Sequence, residues 1–244
     1  MRNVRLDLCY EGTRYKGWQR LANSDNTIQF KLEQALSRIL GEAIEVIGSG
    51  RTDAGTHAFH QVGNFHCEST IPCDEILEQL RRYLPEDIGI YSCKNTSPRF
   101  HARLNAKTKT YTYRLWNTDK PCVFDRKWVW QDSRSVDVIK MQEAAKVFVG
   151  THDFSAFCAN KNMKKSTVRS ITAFDILQTE NEIRFVVTGN GFLHHMVRIL
   201  VGTLLEVGRG ERDMASLPSL FGANRADAGE MVPACGLCLT EVTY

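Results

Sequence analysis

Residues 48–57 read Gly48-Ser49-Gly50-Arg51-Thr52-Asp53-Ala54-Gly55-Thr56-His57. This stretch connects two predicted strands, and its glycines permit tight turns and the close approach of another chain segment. Arg51 lies two residues before Asp53, so its guanidinium can hold that carboxylate ionised or bind a phosphate. The same residues also suit a glycine-rich hairpin in which Asp53 is an ordinary turn residue. Spacing alone leaves both interpretations open.

Around this stretch, hydrophobic periodicity predicts a βαββαβ order for the first half of the chain. Apolar residues at alternate positions from Val4 to Tyr10 indicate a half-buried strand. A helix is predicted over 28–40, because Thr27 or Asn26 can cap its start and Gly41 stands where a left-handed residue ends a helix. The other predicted elements of this half are strands at 43–48, 59–67 and 88–94 and a helix at 74–83.

The second half repeats that order in pattern, without a clear repeat in sequence. Its predicted elements are strands at 109–116, 171–178, 183–189 and 237–243 and helices at 137–149, 192–206 and 213–222. The fold class is therefore α+β, with two split-βαβ (ferredoxin-like) halves that carry antiparallel or mixed sheets. We expect the halves at 1–105 and 106–244, the first carrying the Asp53 stretch. A cleft between two such halves is the expected active site.

The net charge of +3, from 31 basic and 28 acidic residues, conceals a local separation of charge. Residues 96–127 carry eight basic and two acidic side chains, and residues 154–174 carry four basic side chains and no acidic one. These two segments hold a formal charge of +10, so the remainder of the chain is net acidic. Such separation favours a polyanionic partner, although a solvated basic face opposite an acidic one has the same composition.

Cysteine usage and hydropathy indicate a reducing, cytoplasmic environment. The eight cysteines form no dense framework, no apolar leader follows Met1, and no stretch is long enough for a membrane span. His194-His195 and Cys235-x-x-Cys238 invite a metal interpretation, but there is no second Cys-x-x-Cys pair at the spacing of a zinc site. We therefore expect no metal.

The segment from Gly50 to Ala58 resembles the signature of the TruA family of tRNA pseudouridine synthases. Other segments resemble that family in the same order along essentially the whole chain. They are residues 10–20 (Tyr-Glu-Gly-Thr-x-Tyr-x-Gly-Trp-Gln-Arg), 100–103 (Phe-His-Ala-Arg), 111–113 (Tyr-Thr-Tyr), 152–157 (His-Asp-Phe-Ser-x-Phe), 191–198 (Gly-Phe-Leu-His-His-Met-Val-Arg) and 233–239 (Pro-Ala-x-Gly-Leu-x-Leu).

The resemblance implies the pseudouridine synthase fold and an enzyme that converts uridine to pseudouridine without a cofactor. It implies tRNA as the partner, with targets at positions 38, 39 and 40 of the anticodon stem and loop, and a homodimer. Asp53 is then the catalytic aspartate. Residues alone do not decide whether it attacks C1′, attacks C6 or removes a ribose proton, although carboxylates act on sugars in glycosidases.

The resemblance also assigns substrate-binding residues. Tyr111 matches the tyrosine that lies against the target base, while a core aromatic is the ordinary reading of such a residue. Arg198, in an apolar helical stretch, needs a partner, and the resemblance implies Asp53. Arg51 is expected to contact the RNA backbone or to help displace the target nucleotide, and a structural ion pair is the alternative. The candidates for contacts to the RNA backbone are Arg20, Arg103, Lys107, Lys109, Lys164 and Lys165.

Two other classes of function remain open at this stage. A non-catalytic RNA-binding module on the same fold would need the basic segments but not Asp53. A redox or metal enzyme would use Cys235 and Cys238, although these cysteines precede a strand instead of opening a helix after one.

Overall fold

A computed structural model describes residues 1–160 and 165–244 and has the predicted α+β composition. The chain forms two compact units, Met1–Lys107 with Cys238–Tyr244, and Thr108–Leu237. The first division lies two residues from the predicted one. The last seven residues, which the sequence pattern places in the second half, belong to the first unit instead.

Ten strands and four α-helices lie in the described residues. The strands are β1 (Arg2–Tyr10), β2 (Ile47–Gly48), β3 (His57–Cys67), β4 (Ile88–Thr96), β5 (Thr108–Trp116), β6 (Trp130–Gln131), β7 (Gly150–Asp153), β8 (Val168–Gln178), β9 (Glu182–Gly189) and β10 (Leu237–Thr243). The helices are α1 (Ile28–Leu40), α2 (Cys73–Tyr83), α3 (Val138–Lys146) and α4 (Met196–Gly208).

The sheet of the first unit has the order β4-β1-β3-β10, with β2 also paired to β3. β1 is antiparallel to both β3 and β4, and its alternate apolar residues Val4, Leu6 and Leu8 are fully buried, as the sequence pattern predicted. β10 pairs with β3 in parallel through Cys238 and Leu239. This pairing is the physical reason why the C-terminal strand joins the first unit.

The sheet of the second unit has the order β5-β9-β8-β7, in which all neighbours are antiparallel. The two-residue β6 lies parallel to β5. β6 and β7 were not predicted, because two and four residues are too short for a recognisable period. Because β10 belongs to the first unit, the second unit lacks the last strand of the predicted βαββαβ order.

Helix boundaries follow the local signals where those signals are strong. Thr27 caps α1 by accepting the N–H of Phe30, and Gly41 ends it at φ +72°. The predicted helix at 192–206 begins only at Met196, because the backbone of His195 is left-handed at φ 64°. The predicted helix near 213–222 is a 3₁₀ helix instead, with Pro218 inside it.

The remaining boundary errors arise where propensity is weak. Residues 43–46 are not part of a strand, and α3 ends at Lys146 instead of 149. The longest helices, α1 and α4, have 13 residues each, a length of about 20 Å. Within the described residues, no helix is both long and apolar enough to cross a bilayer.

A charge cluster between β5 and β9 stabilises the second unit. Arg114 and Arg184 face each other across the two strands, an arrangement that is repulsive by itself. The buried carboxylate of Glu182 accepts hydrogen bonds from both guanidinium groups, at 2.7 Å from each Nε. Burial alone would raise the pKa of Glu182, but these hydrogen bonds outweigh it and lower the pKa to about 2.

We therefore predict that Glu182→Gln lowers the free energy of unfolding at pH 7 by about 2 kcal/mol, since two opposed arginines lose their shared carboxylate. The pKa of Glu182 is depressed in the fold, so its contribution is present above pH 4.5 and is lost as the pH falls to about 2. Denaturant unfolding of wild type and variant across this window measures the effect. Glu180→Gln, whose side chain is 81% exposed, is the control and should change little. A difference between Glu182→Gln and wild type that persists undiminished at pH 2 would contradict the assignment.

Candidate active site

The loop of residues 49–56, here called the aspartate loop, is anchored through Thr52. The Thr52 side chain is buried, and its hydroxyl lies 2.8 Å from the hydroxyl of Tyr10 at the end of β1. The carbonyl oxygen of Thr52 accepts the N–H of Trp18 at 3.1 Å. Arg51 and Asp53, on either side of this anchor, are exposed and half-buried respectively. A buried anchor between two accessible polar residues fixes the backbone from which both side chains extend.

A second segment, residues 11–18, lies directly against the aspartate loop. The N–H of Gly55 donates to the carbonyl of Tyr15 at 3.2 Å, and the turn closes with the N–H of Thr56 on the carbonyl of Asp53 at 3.1 Å. Gly17 has φ +92°, and a Cβ there would lie 2.6 Å from the carbonyl oxygen of Thr52. No residue other than glycine fits Gly17 without displacing the loop. Residues of the motif at 10–20 thus hold the backbone of the motif at 50–58 in place.

The base of the loop is held by a buried histidine. His57 is almost completely buried, and its Nδ1 lies 3.0 Å from the N–H of Gly12, which donates to it. A Cβ on Gly12 would lie only 2.0 Å from the carbonyl oxygen of Thr56. On the other side of the loop, Gln61 donates from Nε2 to the carbonyl of Gly50 at 3.1 Å. These contacts fix the entry and the exit of the aspartate loop.

The chemistry available here is that of a carboxylate on a rigid backbone. Asp53 can act as a nucleophile or as a general base, and rigid placement increases the efficiency of either role. Asp53 also begins a turn, because its carbonyl accepts the N–H of Thr56, so its catalytic role stays a prediction beside its interpretation as a turn residue. A fixed backbone at Asp53 is the arrangement that either catalytic role requires.

In the second unit, Tyr111 of β5 is 7% exposed and lies edge-on against Phe192, with ring centroids 5.2 Å apart. Tyr113, on the same strand, is fully buried and donates its hydroxyl to the carbonyl of Pro233 at 2.8 Å. Burial raises the pKa of Tyr113. Tyr113 is therefore a core residue, and the contact of Tyr111 with substrate stays a prediction.

Arg198 lies in the first turn of α4 and is buried. Its Nε donates to the carbonyl of Val232 at 2.7 Å, which ties α4 to the segment before β10. The loop that leads into α4 carries Phe192 and ends at the left-handed His195. The pairing of Arg198 with Asp53 that the resemblance implies stays a prediction.

The candidates for backbone contacts differ in their surroundings. Arg103, Lys107 and Lys165 are exposed, and Lys109 is half-buried. The guanidinium of Arg20 is more than half exposed, although its Nη1 lies 3.2 Å from Glu33. Lys164 lies outside the described residues, as does Lys161 of the same basic segment.

The basic segment at 96–127 is less available to a polyanion than its composition suggests. Arg114 is half-buried and holds both Glu182 and Asp125, the latter at 2.8 Å from its Nη2. Arg114 counts as one of the eight basic residues of this segment. Because its guanidinium is already paired with two carboxylates, it is not available to bind RNA phosphates. Residue counts along the chain could not show this, because Glu182 is remote from Arg114 in sequence.

Sequence reasoning missed several supporting residues. Tyr10, Thr52 and Phe192 lie within the motifs, but the motifs assign them no role. The only sequence signal for these residues is their presence inside the motifs. Only their contacts show that they hold the aspartate loop and the Tyr111 ring.

A family model described as tRNA pseudouridine synthase matches residues 9–105 and 144–244. The chain is similar over its full length, and over 100% of each relative, to three curated proteins. They are the tRNA pseudouridine synthase A 2 of Bacillus cereus (strain ZK / E33L) at 43% identity, the tRNA pseudouridine synthase A 1 of Clostridium tetani (strain Massachusetts / E88) at 45%, and the tRNA pseudouridine synthase A of Bacillus sp. (strain KSM-64) at 44%.

The chain therefore belongs to the tRNA pseudouridine synthase family, and the resemblance stated from its motifs is confirmed. Its enzyme class is that of an isomerase, which forms pseudouridine from uridine.

We predict that Gly17→Ala reduces pseudouridine formation at least about tenfold, because the new methyl group must displace the carbonyl of Thr52 and with it the Asp53 backbone. Gly41→Ala is the matched control. Gly41 also has a positive φ, of +72°, but a Cβ there meets nothing within 4 Å. In both variants, strain at a positive φ should lower the free energy of unfolding by about 1–2 kcal/mol. Only Gly17→Ala should also lower the activity of the folded enzyme. Equal activities of the two folded variants would contradict the supporting role of residues 11–18.

Proposed function

We propose that this protein converts uridine to pseudouridine at positions 38, 39 and 40 in the anticodon stem and loop of tRNA, with Asp53 as its catalytic residue. The observation that carries the proposal is the aspartate loop, whose Gly50–Ala58 sequence resembles the family's signature and whose backbone is held by residues 10–18 and Gln61. Full-length similarity to proteins named tRNA pseudouridine synthase A supports tRNA as the substrate.

The reaction breaks the bond between N1 of uracil and C1′ and forms a bond between C5 and C1′. The proton that C5 loses is balanced by one that N1 gains. Atoms and electrons balance within the nucleotide, so the proposal needs neither a redox cofactor nor a metal. We propose that Asp53 acts on the ribose, either as the nucleophile at C1′ or as the base for a ribose proton. Carboxylates perform related steps on sugars in glycosidases.

Tyr111 provides the proposed surface for the detached base. Phe192 fixes the tilt of the Tyr111 ring, and stacking of a base on an aromatic ring contributes about 1–3 kcal/mol. A base in this position must have left its own stack, as in other enzymes that act on nucleobases. The Tyr111 hydroxyl is the proposed group for the final removal of the C5 proton.

The exposed cations complete the proposal. Arg51 extends from the aspartate loop and is proposed to contact the backbone beside the target nucleotide. Arg20, Arg103, Lys107 and Lys165 are proposed to bind phosphates elsewhere on the tRNA. Such contacts position the RNA by shape, which suits a substrate set of three neighbouring positions with different sequence contexts.

We predict that Asp53→Asn binds an unmodified tRNA transcript about as tightly as wild type but forms pseudouridine at least about 100-fold more slowly, because the amide cannot act as a nucleophile or base. Mapping pseudouridine by a base-specific chemical adduct at positions 38–40, together with a binding titration, gives both readouts. Asp74→Asn, an exposed carboxylate in the first turn of α2, is the control. A fully active Asp53→Asn would instead favour a structural role for the loop, and wild type that binds without product would favour an RNA-binding module.

We also propose a homodimer, as the resemblance implies. Sedimentation equilibrium of the purified protein should give twice the chain mass of 27.7 kDa. A monomer at concentrations where the enzyme is active would contradict the dimer and the mode of tRNA docking that depends on it.

A cytoplasmic location is part of the same proposal. Cys9, Cys67, Cys73, Cys93 and Cys122 are free cysteines, which is consistent with a reducing compartment.

A further inference from the structure

The loop of residues 119–127, which follows β5, carries an apolar tip in solvent. The side chain of Phe124 is 97% exposed and that of its neighbour Val123 is 56% exposed. Full exposure of a phenyl ring forfeits the hydrophobic stabilisation that burial would give it.

The loop that carries the ring is held in one conformation by hydrogen bonds. The carbonyl of Lys120 accepts from Nε1 of Trp116 at 2.8 Å and from Nε2 of Gln131 at 3.1 Å. Beyond the tip, Nη1 of Arg126 donates to the carbonyl of Val123 at 2.8 Å, and the N–H of Trp128 donates to the carbonyl of Asp125 at 2.7 Å. A ring on such a loop is already ordered, so binding through it loses little conformational entropy.

The surroundings of Phe124 are cationic. Arg126 and Lys127 are exposed directly after the tip, whereas Lys120, four residues before it, lies 3.5 Å from the carboxylate of Glu180. The acidic residue next to the ring, Asp125, is held by the guanidinium of Arg114 at 2.8 Å. Neutralisation of Asp125 by Arg114 leaves positive charge on the C-terminal side of the apolar tip.

Size and charge together favour RNA over protein as the partner of this tip. A buried phenylalanine removes roughly 150–250 Å² from water, whereas a stable protein interface buries about 800 Å² on each partner. One ring is nevertheless sufficient to stack on one base, and the adjacent cations suit phosphates.

We propose that Phe124 stacks on an unpaired or terminal base of bound tRNA while Arg126 and Lys127 contact its phosphates. This inference rests on the proposed function for the identity of the RNA. It assigns a recognition role to a residue outside the aspartate loop and outside the set of cations selected from the sequence.

The test measures binding of an unmodified tRNA transcript at several salt concentrations. Phe124→Ala should weaken binding by a factor between about 5 and about 150, the range for loss of one stacked base. Phe124→Leu should weaken tRNA binding by a similar factor, because leucine keeps apolar volume without an aromatic face. Phe124→Trp should bind tRNA about as tightly as wild type. Ile139→Ala on α3, a side chain 73% exposed in the same unit, is the control and should bind like wild type.

Salt dependence separates the ring from the cations. Loss of a neutral ring leaves the slope of log Kd against log salt unchanged. Arg126→Gln with Lys127→Gln should reduce that slope by about 1 for each phosphate that the protein no longer neutralises. A changed slope in Phe124→Ala would contradict stacking.

Two further results would overturn the proposal. Wild-type affinity in Phe124→Ala or in Phe124→Leu would exclude base stacking, and a lower sedimenting mass of Phe124→Ala would identify the tip as a contact between copies of the chain. Failure of the proposed function has a different signature, because wild type would then form no pseudouridine whatever the Phe124 variants do.

Discussion

The candidate active site depends on one buried residue, Thr52, which forms hydrogen bonds with both Tyr10 and Trp18. A glycine-rich loop has many accessible conformations, and a carboxylate on such a loop has no defined position. By fixing the residue between Arg51 and Asp53, the anchor converts a flexible sequence into a rigid platform. This anchoring also requires glycine at positions 12 and 17, because a Cβ on Gly12 or Gly17 would collide with the backbone of the aspartate loop.

Pairing among charged groups decides which cations remain for RNA. Arg114 is fully engaged by Glu182 and Asp125, and in this way it removes a negative charge beside Phe124. Arg126 follows Asp125 directly in the chain yet lies exposed. Formal charge along a segment is therefore a poor measure of its affinity for a polyanion. What matters is the charge that remains after the internal ion pairs have formed.

The two proposals place different demands on the same protein. Catalysis at Asp53 requires a group whose position is fixed to within a fraction of an ångström, and the convergence of two segments supplies such rigidity. Recognition through Phe124 requires only an ordered, solvent-facing ring, which a hydrogen-bonded loop provides. Both use backbone hydrogen bonds to order a loop, and neither depends on a regular helix or strand at the functional residue itself.

Local sequence predicted the strands with alternating apolar residues and the helix whose ends carry Thr27 and Gly41, because these signals act within a few residues. It also determined the family, since the motif around Asp53 is specific by residue identity alone. Tertiary structure alone decided that β10 joins the first unit, that Arg114 belongs to an ion cluster and that Thr52 is held by Tyr10. Each of these depends on contacts between residues remote in sequence, and no local propensity encodes the partner of such a contact.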